Sequence, residues 1–427
     1  MKPMRLSLFL VSTVIAGCGL IPGLTSSDGP IITIKGETPT AISRWDEIAT
    51  ITANAPPTPS GSPAEQRPAV SEDIALVHIA IYDAVMAIER VYTPFAVTPA
   101  ANASGASLDA AIGAAAYGVL SGLFPNRKSL YQAAYASHNA AIADGDAKRK
   151  GLALGAEVAT RLIALRGDDG RMVALAPFVP GTTPGAFRGT DPVLRYFPSF
   201  KPYALKNSAQ FRSPPPPALD SAVYARDVEE TRLLGGAASK TRTAAQLEAA
   251  RFHTERPSDI WPRNLRQFAM TKASTAEIAR TMAMIYVALA DSEIACLESK
   301  YHYLAWRPIS AIALADTDGN PATDADPSWK PVLPTPPHPE YPAAHSCVSS
   351  ALQGALQALY GTDRVRFGFD SKVTNTRHEY ASAQDFVDET TIARIAGGMH
   401  FRCATEAGVR LGANVAKWVS ENYFKPR

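Results

Sequence analysis

Cysteine is scarce in this sequence, four residues in 427, and none of them stands in a CxxC or Cys/His spacing. A zinc or iron–sulfur cluster is therefore excluded on ligand grounds. Excess charge is missing too: 42 Lys and Arg face 40 Asp and Glu, so the chain carries no basic footprint for nucleic acid. Beyond the N-terminus no segment approaches 18 uninterrupted apolar residues, which leaves nothing long enough to span a bilayer. Strand-like alternation closed by hairpin turns does not recur, and the reading that remains is all-α. Proline, by contrast, is abundant at 34 residues, and its clusters mark long loops between helical blocks.

Residues 1–18 read as an export signal. Lys2 and Arg5 supply the positive end, Leu6 to Ile15 the apolar segment, and Ile15-Ala16-Gly17-Cys18 resembles a lipobox. Lipid on Cys18 would leave an exported protein held at the periplasmic or cell-surface side of a membrane. Residues 19–70 are expected to be tether and surface loops, with a short helix near Trp45 to Thr52. A helical block starts at Ser71, where Glu72-Asp73 suits a first turn and Ile74, Val77, Ile81, Val85 and Ile88 fall near one face. Further helices are expected at about 107–123, 128–143 and 146–166, and then a Pro/Gly stretch over 167–218. Residues 71–218 thus form an N-terminal bundle plus a long loop, of a length that often covers a site. Residues 219–427 form a second bundle, with helices near 219–235, 243–254 and 260–271, and another from Thr275 to about Leu304.

Chemistry concentrates in three stretches of that second bundle. On the long helix Lys300 and Arg307 are seven apart, two turns and about 20° out of phase, so both heads reach one side, and Pro308 ends or bends the helix there. An ammonium and a planar guanidinium suit an anion with several oxygens. In the second stretch Pro342-Ala343-Ala344-His345 opens a helix whose unpaired N–H groups favour an anion, with His345 at that end as a proton carrier. In the third, Arg394 and His400 flank Gly397-Gly398, where a break lets another group approach the backbone. Taken singly, each stretch also has a plain structural reading: a solvated cationic face, a polar cap, a glycine pair for close packing.

Taken together, KYHYLAWRP, PAAH and ARIAGGMH resemble the signature K-x6-RP, PSGH, SR-x5-H of the vanadium-dependent haloperoxidases and the type 2 phosphatidic acid phosphatase superfamily. SRWDEIAT, EDIALVHIAIYDAVMAIE and PYALKNSAQFRSPPPPAL extend the likeness over most of the chain. The resemblance implies that Lys300, Arg307 and Arg394 hold the oxygens of vanadate or phosphate, with the Ala344 N–H as a further donor. His400 would be the axial vanadium ligand, or the nucleophile of a phosphatase, and His345 the acid/base. Vanadate is the implied cofactor, peroxide and halide the implied substrates, hypohalous acid the product. A phosphate ester hydrolysed through a phosphohistidine is the alternative, and a non-catalytic lipid-tethered anion-binding module the third class. Relatives are often dimers, so a homodimer is a further expectation.

Two positions depart from the signature. Ala343-Ala344 replaces Ser-Gly and Ala393 replaces a serine, and each lost hydroxyl removes a donor worth ~1.5–3 kcal/mol to a charged acceptor. His338 stands where bromoperoxidases of the family carry a second histidine, which favours bromide and iodide; its plain reading is a solvated loop residue. Cys347 and Cys403 follow the site histidines closely and can pair in an exported protein, whereas free thiols would be a hazard beside hypohalous acid. Asp316-Thr317-Asp318-Gly319-Asn320 reads as a solvated turn. His253 and Trp261, flanking a helix break, read as packing and surface residues, and His78, His138 and His302 lie apart from the motifs.

Overall fold

The computed structural model describes residues 30–100 and 102–427; the expected export signal and Cys18 lie outside them. The chain folds into α1 (Ala41–Ala53), α2 (Pro63–Gln66), α3 (Val70–Glu89), α4 (Leu108–Leu123), α5 (Gln132–Ala140) and α6 (Asp146–Leu165). After the long loop follow α7 (Ala222–Gly235), α8 (Ala244–Phe252), α9 (Pro257–Leu265), α10 (Thr275–Tyr303), α11 (Pro308–Ala313) and α12 (Ala344–Tyr360). The last helices are α13 (Ala383–Ala396) and α14 (Arg402–Asn422).

The axis of the fold is α10. Ser274 and Glu277 close a capping box at its start, and its apolar residues then run all round the helix rather than along one stripe. A helix of that kind must be enclosed on every side, and Ile278 through Lys300 are buried almost without interruption. Its neighbours are α3 on one side and α12 and α14 on the other. A single continuous core, from Ile42 and Trp45 to Val419 and Phe424, fills the space between them. Helix α12 lies very close to α14 because Gly412 has no side chain; a Cβ there would sit 2.0 Å from the Cys347 carbonyl oxygen. That contact fixes the helix carrying His345.

Three features differ from the expectation. Helix α1, within the stretch assigned to tether and loops, buries Ile42, Trp45, Ala49 and Ala53 in the core. Residues 167–218 do more than separate bundles, for they strap α10: Asp291 accepts the Tyr203, Ala204 and Leu205 N–H groups at 2.6–2.9 Å, and Phe197 and Phe200 pack on Ile294 and Leu297. A small sheet also joins the helices, with β1 (Ile32–Thr33) parallel to β2 (Val365–Ser371), and β2 antiparallel to β3 (Thr376–Tyr380) through Phe367↔Tyr380 and Phe369↔His378. Val365, Phe367 and Phe369 point inward and Arg366 and Asp370 outward, the alternation of a half-buried strand.

The aspartate-rich turn is solvated only in part: Asp316, Thr317 and Gly319 are exposed. Asp318 and Asn320 are buried, and the Asn320 amide donates to the Leu219 and Ser221 carbonyls, tying the turn to the start of α7.

Candidate active site

Helix α10 ends at Tyr303, with Leu304 in the left-handed region (φ 48°), four residues before the break expected at Pro308. Arg307 is therefore not on the Lys300 helix but at the N-cap of α11. Its side chain nevertheless returns to the same place. Lys300, fully buried, donates from Nζ to the carbonyls of Pro339 (3.0 Å) and Glu340 (2.9 Å). Arg307, 2% exposed, donates to the His338 carbonyl (2.8 Å), the Met399 carbonyl (2.8 Å), His338 Nδ1 (3.0 Å) and His400 Nε2 (3.1 Å).

The glycine pair does break the helix. Helix α13 stops at Ala396 and Gly398 turns at φ 77°, so His400 sits in the short link to α14 and faces the Arg307 guanidinium. A Cβ on Gly398 would meet the Gly235 carbonyl oxygen at 2.6 Å, so the same pair also permits close approach of the end of α7.

Guanidinium groups only donate, which fixes the His400 tautomer. His400 Nε2 must accept from Arg307, and Nδ1 then carries the proton and donates to Glu340 Oε1 at 2.9 Å. The same oxygen accepts the Phe401 N–H at 3.0 Å. His338 Nδ1 lies between a donor, the Arg307 guanidinium at 3.0 Å, and an acceptor, the Pro339 carbonyl at 3.2 Å. Glu340 is thus the group that orients His400 and keeps a lone pair on Nε2.

A cavity of about 360 Å³ opens beside these groups. His338, Ala344, His345, Arg394, Met399 and His400 line one part of it. No side chain caps α12, so its first N–H groups, at Ala344 and His345, begin at the cavity wall. Pro342 lies outside the helix rather than in its first turn. His253 and Trp261, expected to pack elsewhere, line the cavity too. The His253 backbone carbonyl accepts from Arg394 at 3.3 Å and lies within hydrogen-bonding reach of the His345 ring. By contrast His302 is exposed, and His78 is buried against Asp46 at 3.0 Å, far from the motifs in the chain.

The donor set is built for an anion. Lys300, Arg307 and Arg394 are all buried, and the one carboxylate among them, Glu340, acts on the first two only. Arg394 is the clearest case: its Nη2 rests on the Met399 thioether (2.8 Å), a weak acceptor, and its Nε has no partner at all. Burial pulls Lys300 well below its ordinary value, and the Arg307 and Arg394 charges pull it further. Burial, then Arg394, His253 and Lys300, do the same to His345. A tetrahedral oxyanion with charge of two or more fits what these residues lack.

Two consequences can be measured. A bound dianion restores the charged forms of Lys300 and His345, so binding takes up protons. Sulfate, itself unchanged over this range, should bind more weakly as pH rises toward the ordinary values of 6.5 for imidazole and 10.5 for lysine. Calorimetry in buffers of different ionisation heat reads that uptake directly, and proton release would contradict it. Glu340→Gln removes a negative charge yet makes His400 less basic. Phosphate affinity, read by the same titration, should then hold or rise, and a clear loss would contradict it.

Cysteine pairing differs from the expectation. Cys296 and Cys347 are bonded, Cα–Cα 6.4 Å, and Cys403 is free. Cys403 starts α14 on the side facing α7, where its N–H donates to Asp227 at 2.8 Å, whereas Cys347 faces α10. Sequence reasoning also passed over Glu340 and Met399. A signal for Glu340 was present, since it is the one acid between Asp326 and Asp363 and stands between His338 and His345.

Residues 280–426 match the family described as the VCPO second helical-bundle domain. Among curated proteins none matches the chain by sequence. Among solved structures the chain is similar to a bacterial vanadium-dependent iodoperoxidase, at 24% identity and TM-score 0.70 over 91% of this chain and 98% of that one. It is similar as well to a bacterial vanadium-dependent chloroperoxidase in its holo form (15%, TM-score 0.66, 91% and 98%) and its apo form (16%, TM-score 0.62, 83% and 93%). The chain has the fold of the vanadium-dependent haloperoxidases, and the segment that carries Lys300, Arg307, His345, Arg394 and His400 matches that family's second helical bundle.

Proposed function

We propose that this protein is a vanadium-dependent haloperoxidase that uses hydrogen peroxide to oxidise bromide or iodide to the hypohalous acid. The observation that carries the proposal is the His400 imidazole, held by Glu340 with its Nε2 lone pair on Arg307, beside a buried Arg394 whose Nε has no partner. When bound, vanadate supplies a Lewis-acidic centre that activates peroxide toward halide. Lys300, Arg307 and Arg394 would neutralise its oxygens, and His400 Nε2, now against Arg307, would be the nitrogen that holds it. The Ala344 N–H, at the uncapped start of α12, stands in for the hydroxyl that Ala343 lacks. The ring nitrogen of His345 not facing the His253 carbonyl holds the proton given to the departing oxygen. His338, which lines the cavity and touches Arg307, would meet an incoming halide.

A phosphatase acting through a His400 phosphohistidine is the second reading, favoured by Ala343. The thiol hazard is met in part: Cys347 is bonded to Cys296, while Cys403, three residues past His400, is a free, half-buried thiol. Bromination or iodination of a phenol dye that requires both vanadate and peroxide is the expected result. Vanadate-inhibited release of nitrophenol from its phosphate, without halogenation, would establish the phosphatase instead. In the peroxidase His345→Ala should lower turnover by roughly 10²–10⁴ and leave vanadate affinity within a few-fold. Export with lipid on Cys18 belongs to the same proposal, and incorporation of labelled palmitate by the wild type but not by Cys18→Ala tests it.

A further inference from the structure

Elsewhere on the wall of the same cavity stands a carboxyl group that the oxyanion chemistry does not use, Glu293, with a second one buried behind it. Ser71 and Glu293 line the cavity, and the Ser71 hydroxyl hydrogen-bonds the Glu293 carboxylate. Behind them Glu72, 1% exposed, has both side-chain oxygens buried without a hydrogen-bond partner, and it lies close enough to Glu293 for the two charges to repel. The cation that acts on Glu72, Arg171, is already committed to Asp73 at 2.6 Å and Asp169 at 2.8 Å. Burial consequently raises Glu293 to about 7 and Glu72 well above the ordinary carboxyl value.

An empty protein gains nothing from such a pair, because buried carboxylates without cations or N–H donors are destabilising. The position of Glu293 on a cavity that also holds Leu289, Leu297, Trp261 and Val348 says what would complete it. A metal ion does not suit, since no group of three or more His, Cys, Asp or Glu set for a metal occurs among the described residues. An ammonium group does: its N–H donors match one carboxylate and one hydroxyl, and an apolar body matches the walls. The volume of about 360 Å³ falls in the range that encloses a small organic molecule.

We propose that the cavity binds a small organic ammonium ion, its charge on Glu293 beside Ser71 and its apolar body against Leu289, Leu297 and Trp261. The site is separate from the cation cradle, so this binding does not depend on which reaction the cradle performs. The test is calorimetric titration of the full chain at pH 8 and constant salt with benzylammonium and, separately, with benzyl alcohol. The ammonium should bind about tenfold tighter or more, as a charge-assisted contact requires, and Glu293→Gln should erase that preference while phosphate affinity stays at the wild-type value. Equal affinity of the two probes for the wild type, or a preference that survives in Glu293→Gln, would overturn the proposal.

Discussion

Arg394→Ala is expected to weaken sulfate, phosphate and vanadate binding on the order of a hundredfold or more, and to leave the empty protein at least as stable. The first half follows from the loss of charge-assisted contacts, each worth about 1.5–3 kcal/mol. The second follows from how poorly the guanidinium is served at rest: a thioether at 2.8 Å, one carbonyl at 3.3 Å, and a bare Nε in a side chain that is 2% exposed. Desolvating a cation costs several kcal/mol, and here little in the folded chain offsets it. A residue kept for packing would behave the other way, with lost stability and unchanged affinity. Denaturant midpoints beside anion titrations separate the two.

Removing the Cys296–Cys347 bond with the double alanine variant is expected to cost ~4 kcal/mol of stability by loop-closure entropy, for a sequence separation of 51 residues. The bond also carries geometry. It joins α10 one turn before Lys300 to α12 two residues after His345, so it helps hold the ammonium and the imidazole at one spacing. The variant should therefore lose affinity for oxyanions as well as stability. A loss under about 1 kcal/mol, far below the loop-closure value, would mean that helix packing, with Gly412 against Cys347, fixes the spacing unaided.

The site was legible to the extent that its charges lie in short, ordered motifs. Lys300, Arg307, His338, His345, Arg394 and His400 all come to one place, although the helical argument that united the first two was wrong. Arg307 reaches the site from a separate helix start, because Leu304 turns left-handed four residues sooner than Pro308 would have ended α10. Glu340 stands out locally as the one acid between His338 and His345, but its partner, His400, lies 60 residues away along the chain, so the sequence does not name the contact. The Cys347–Cys403 pairing that the sequence allows does not form for a similar reason: both are near neighbours of site histidines, but their helices present them to opposite partners. Helices were read well where apolar spacing was regular, as in α3 and α10. The hairpin was overlooked even though Val365, Phe367 and Phe369 alternate with polar residues, and the strap over α10 owes its order to Asp291 rather than to any repeat of its own.

The most direct measurement is a crystal structure of the protein soaked in vanadate. One vanadate among Lys300, Arg307 and Arg394 is expected, bonded to His400 Nε2, with the Arg307 Nη1 now turned from that nitrogen to the anion. A cradle without vanadate at saturating concentration, or vanadate bound away from His400, would contradict the assignment.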